Sequence, residues 1–97
     1  MQLRTLYLFS ERYDDALKYL FKAEMLDSLS AHIPLHIGTA IAIRENSYKK
    51  GLPYFLRAIK LDSSYSVAYH NASLCYKEMG DTVMAKKYSE WALRLKR

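Results

Sequence analysis

Three histidines, one cysteine and a pair of adjacent aspartates are the side chains in this 97-residue chain whose chemistry could act on a ligand. His32 and His36 stand i, i+4 apart and so share one face of a helix, and His70 follows in the next stretch of similar pattern. Two imidazoles at that spacing can hold a transition metal or respond to pH. No acidic ligand accompanies them, so the pattern predicts polar residues that hydrogen-bond a peptide or water, with no metal. Cys75 has no second thiol for a bridge or a zinc cluster, and no base with an orienting acid is paired with it. Asp14-Asp15 opens a helical segment, where the macrodipole favours negative charge. Neither reads as catalytic, so the chain is expected to be no enzyme and to need no cofactor.

The elements that carry these residues follow from composition. Apolar residues make up 51% of the chain and charged residues 26%, which suits one small globular domain. The uncharged run from Ser28 to Ile43 holds a proline, a glycine and two histidines, and is shorter than the roughly 18 apolar residues of a membrane span. A membrane partner is not expected. With no secretory leader and a lone cysteine, the cytoplasm is the expected compartment. Three glycines and two prolines leave few sites for tight hairpin turns, so the fold should be all-α.

The chain also repeats itself. Residues 12–27, 47–62 and 81–96 superimpose when Ala16, Gly51 and Ala85 are aligned, which brings together Tyr19, Tyr54 and Tyr88, then Ala23, Ala58 and Ala92, then Leu26, Leu61 and Leu95. The offsets are 35 and 34 residues. Each segment is amphipathic at helical spacing, and each is preceded by a second helical pattern: Leu3, Leu6, Tyr7; then Ile37, Ala40, Ile41; then Ala72, Cys75, Tyr76. Three antiparallel helical hairpins are therefore predicted, over about 1–30, 31–65 and 66–97. Ser10-Glu11-Arg12, Arg44 to Ser47, and Gly80-Asp81 should form the turns within them, with the extra residue of the middle unit in the Arg44 to Ser47 turn.

A period near 34 built from helix pairs on a small-residue frame resembles the tetratricopeptide repeat. The last unit carries the pattern best, with Tyr69, Ala72, Ser73, Tyr76, Gly80-Asp81, Ala85 and Ala92; the middle unit offers Pro34, Ile37-Gly38, Ile41, Gly51, Phe55 and Ala58. No tryptophan opens any unit, and Ser89 stands where an aromatic residue belongs. The resemblance implies an α-solenoid with a right-handed superhelical path, and a non-catalytic module that receives a protein or peptide in its concave groove. The side of each first helix opposite its small frame gives the expected groove: Thr5 and Phe9 with Gln2; His32, His36, Thr39 and Ile43 with Leu35; and His70, Asn71 and Lys77 with Leu74 and Glu78. Some members of the family clamp an acidic chaperone terminus with two lysines, an arginine and two asparagines. At those positions this chain has Met1, Thr5, His36, Val67 and Asn71, so no carboxylate clamp is expected.

The ends carry further expectations. Leu17, Leu20 and Phe21, and Leu52, Phe55 and Leu56, give way to Lys86, Ser89 and Glu90 in the last unit, as a terminal repeat requires. Trp91 replaces Lys22 and Arg57, and is either a ring folded over the end of the stack or an aromatic contact for a partner. An apolar edge of Leu3, Leu6 and Leu17 makes self-association, as a homo-oligomer, the leading alternative function. Lys18, Lys22, Lys49, Lys50, Arg57, Lys60, Lys86, Lys87 and Arg94 fall mainly on second helices. They read as a solvated outer wall, since only charge supports nucleic-acid binding.

Overall fold

The computed structural model describes residues 10–95. Five α-helices follow one another: α1 Ser10–Leu26, α2 His32–Glu45, α3 Leu52–Leu61, α4 Ser66–Glu78 and α5 Thr82–Leu95, with a 3₁₀ turn Tyr48–Gly51 leading into α3. Each helix packs antiparallel on its chain neighbours, so contacts run along a line of hairpins rather than around a closed bundle. This is the all-α hairpin architecture the sequence predicts. The pattern at Leu3, Leu6 and Tyr7 lies outside the described residues. Ser10 to Arg12, expected as a turn, are helical.

Two left-handed residues end the first helices of the hairpins α2–α3 and α4–α5, the middle and last of the expected array. Asn46 has φ 53° and Gly80 has φ 82°, values that asparagine and glycine tolerate best. In both turns the following amide reaches back to close the helix: Ser47 donates to Ala42 at 2.9 Å, and Asp81 to Tyr76 at 2.9 Å. These caps stand 34 residues apart, whereas the buried faces Ile37, Gly38, Ala40 and Ala72, Ser73, Cys75 stand 35 apart. The middle unit's extra residue therefore falls in the last turn of α2. The second helix of that unit starts as a 3₁₀ turn because Pro53 has no amide to give the Lys49 carbonyl, which takes the Leu52 amide instead.

The middle hairpin closes on two glycines. Gly38 of α2 and Gly51 of the 3₁₀ turn meet backbone to backbone, and the ring of Phe55 covers the crossing with 1% of its surface exposed. Phe55 belongs to a cluster with Leu35 and Ala58 from its own hairpin and Ala68, Ala72 and Cys75 from α4, joined at the edge by Leu52 and Ile59. A second cluster sits one step earlier, where Ile37, Ala40 and Ile33 of α2 close over Leu17 and Leu20 of α1. Leu17, expected on an exposed apolar edge, is 5% exposed, because α2 covers it.

A polar contact reinforces the junction between hairpins. The Glu78 carboxylate at the end of α4 accepts the Ser47 hydroxyl at 2.6 Å and the amides of Tyr48 and Lys49 at 2.8 and 3.3 Å, capping the 3₁₀ turn of the preceding hairpin. These bonds, the Ser47 hydroxyl first, hold the Glu78 carboxyl below its ordinary range. A carboxyl lowered in the folded state stabilises fully above its unfolded pKa, and the contribution is lost as pH falls through the folded value. Glu78→Gln is therefore expected to melt below the parent chain at neutral pH. The gap should close on acidification below about pH 4. A gap that stays constant from neutral to acid pH, read by circular dichroism melts, would remove the carboxylate from this role.

Candidate functional site

The groove residues predicted on α2 and α4 are distributed along two helices of consecutive hairpins. His32, His36, His70 and Lys77 are exposed, and Thr39, Ile43 and Asn71 are half-buried. Thr5 and Phe9, with Gln2, lie outside the described residues. Two neighbours drafted into the same groove have other partners. Leu35 is 5% exposed and belongs to the cluster around Phe55, so it gives a ligand little surface. Glu78 is engaged by the 3₁₀ turn, which a short-range reading could not anticipate because its partners lie 29 to 31 residues away.

Local hydrogen bonds limit what the remaining groups can offer. The Thr39 hydroxyl donates to the Leu35 carbonyl at 2.9 Å, leaving Thr39 chiefly an acceptor toward any ligand. His32 Nδ1 and the Tyr65 hydroxyl share a hydrogen bond of 2.8 Å, with the rings edge to face at 5.0 Å between centroids. His32 thus ties the start of α2 to the segment before α4. Among the described residues, no group of three His, Cys, Asp or Glu side chains is placed to hold a metal ion.

Cys75 is buried, and its thiol donates to the Tyr48 carbonyl at 2.8 Å. Burial pushes its pKa up to about 12, so at neutral pH it is a thiol and a weak nucleophile. Asp14 pairs with Arg44 at 2.7 Å across the α1–α2 contact, and Glu24 with Arg57 at 2.8 Å across α1 and α3. The exposed Asp14–Arg44 pair contributes about 0.2–1 kcal/mol. The lysines and arginines assigned to the outer wall are all exposed.

Trp91 is half-buried within the last hairpin. It stands edge-on to Tyr88 at 5.2 Å and to Tyr69 at 5.9 Å, with the Lys87 ammonium 5.4 Å from its ring centre. Tyr69 is itself fixed by donating its hydroxyl to the Ser63 carbonyl at 2.9 Å. The indole therefore packs α5 on α4 and leaves one side on a shallow cleft of about 240 Å³ with Arg94 and Leu95.

A larger cleft, about 320 Å³, opens between α4 and α5 and is lined by Ser66, Val67, His70, Ser89, Ala92 and Leu93. His70, drafted as a groove residue, belongs to its wall. The sequence carried one signal for this cleft, the serine at position 89 in place of an aromatic residue. The other lining positions have no local signature.

Residues 66–97 match the family model of the tetratricopeptide repeat. The match falls on α4 and α5, the hairpin whose sequence fits the repeat pattern most fully. Comparison with curated proteins gave no match. A tetratricopeptide repeat is in general a protein-interaction module and is typically non-catalytic. No helix among the described residues is long and apolar enough to cross a membrane.

Proposed function

We propose that the chain is an array of three tetratricopeptide-type hairpins, at about 1–30, 31–65 and 66–97, acting as a non-catalytic adaptor for a peptide or helix of another protein. The observation that carries this reading is the tetratricopeptide match over the last hairpin. Support also comes from the linear packing of the helices and from His36, Asn71 and Lys77, polar groups at the surface of α2 and α4. Imidazole, amide and ammonium groups along two neighbouring helices suit backbone carbonyls and acidic side chains of a ligand. Burial of Leu17 removes part of the apolar edge that favoured self-association. A lone unreactive thiol is compatible with the cytoplasm as the working compartment.

Peptides selected from a displayed library against the immobilised full chain provide the test. The double variant His36→Ala, Asn71→Ala is expected to bind the selected peptides about tenfold more weakly, equivalent to about 1.4 kcal/mol, with its melting temperature unchanged. Equal affinity in fluorescence polarisation, with both proteins folded, would overturn the groove assignment.

A further inference from the structure

The cleft between α4 and α5 lies one repeat beyond an interface that the same molecule already makes. On the middle hairpin, Leu35, Leu52, Phe55, Ala58 and Ile59 receive α4, whose Ala68, Ala72 and Cys75 stand at i, i+4 and i+7. One hairpin earlier, Ile33, Ile37 and Ala40 of α2, at the same spacing, close over Leu17 and Leu20. A surface of this kind is thus covered twice by a helix with apolar residues at i, i+4 and i+7. Moving 35 residues along the first helix and 34 along the second converts the middle hairpin's receiving surface into His70, Lys86, Ser89, Ala92 and Leu93. Four of those five line the cleft.

The replacements define what fits. The end near the helix entry stays apolar, with Ala92 buried, Leu93 66% exposed and Val67 48% exposed. Phe55 has become Ser89, which leaves room where the middle hairpin has a ring. Leu52, which packs against the cluster containing Cys75, has become the exposed Lys86. The turn has changed as well. Ser47, Tyr48 and Lys49 present a hydroxyl and two amides to Glu78, whereas their counterpart Asp81 accepts the Met84 amide at 3.1 Å and caps its own helix. A carboxylate placed as Glu78 is placed would meet the Asp81 carboxylate.

We infer that this cleft docks a helix of a partner protein, lying as α4 lies on the middle hairpin, with apolar side chains at i and i+4 and a carboxylate at i+7 opposite Lys86. Two features support that occupant: the cleft continues the α3–α4 interface, and a lysine stands where an apolar contact with the i+7 residue would otherwise be. This surface is distinct from the groove of His36 and Asn71, and the inference does not rest on that groove.

A helix-stapled, fluorescent peptide of Ser66–Glu78 carrying Cys75→Glu and Glu78→Gln is the probe, titrated onto the full chain. Saturable binding is expected, at least tenfold weaker for Leu93→Asp and several-fold weaker for Lys86→Glu. A probe with Cys75→Lys should regain affinity for the Lys86→Glu chain. His36→Ala, Asn71→Ala should leave the affinity unchanged, which separates this surface from the groove. Leu93 and Lys86 are both exposed, and melting curves verify that the variants fold. Absence of saturable binding overturns the inference, as does binding that ignores both Leu93→Asp and Lys86→Glu, since the probe would then sit elsewhere. Sedimentation showing assembly of the chain with itself, abolished by Leu93→Asp, also overturns it by giving the cleft to a second copy.

Discussion

Replacing Phe55 with alanine is expected to cost about 3–5 kcal/mol, the range for truncating a fully buried aromatic ring. In a domain of this size that lowers Tm by at least about 12 °C. The ring carries so much because it belongs to two contacts at once. It covers the Gly38–Gly51 crossing inside its hairpin, and it meets Ala68, Ala72 and Cys75 of the next. Small side chains around it cannot collapse far enough to fill the space, so most of the cavity would persist. Denaturant unfolding monitored through Trp91 measures the loss. A cost below about 1 kcal/mol, the level of a peripheral contact, would contradict the central place given to this residue.

Gly51→Leu is the second large effect, expected at about 3 kcal/mol or more because it overpacks a site where backbone meets backbone. A Cβ on Gly51 would collide with the Gly38 carbonyl oxygen and lie 2.9 Å from the Phe55 ring. A rigid carbonyl cannot swing aside as a flexible side chain can, so the two segments of the middle hairpin must part. Gly80→Ala is the informative contrast. Nothing lies within 4 Å of the added methyl, but φ is 82°, so only backbone strain of about 1–2 kcal/mol is expected. A Gly51→Leu chain that melts with the parent would show that the glycines do not meet.

These two positions also show what the sequence carries. The Gly51 column of the repeat announced a close approach, since a small residue recurs at Ala16 and Ala85, whereas its partner Gly38 stood in the sequence only as a position of the repeat pattern. Helix type, helix pairing and the turn at Gly80-Asp81 were legible because each rests on side chains close together in the chain. The fate of Leu35 was not. Its position in α2 suited a groove, and only the approach of Phe55 and α4 decides that it is buried. Glu78 was hidden for the same reason, because its ligands belong to the preceding hairpin. The bond between His32 and Tyr65 was hidden likewise, since the two residues lie 33 positions apart. Contacts across the junction between hairpins are written in no local spacing, so the functional surface was harder to draw than the helices that bear it.

Chemical-shift mapping of a selected peptide on the isotope-labelled full chain shows whether consecutive hairpins present their first helices to a protein ligand. Perturbed amides are expected at His36, Thr39, Asn71 and Lys77, with α1 and α3 unchanged. Perturbations confined to α3 and α5, or spread over the basic residues and erased by added salt, would contradict it.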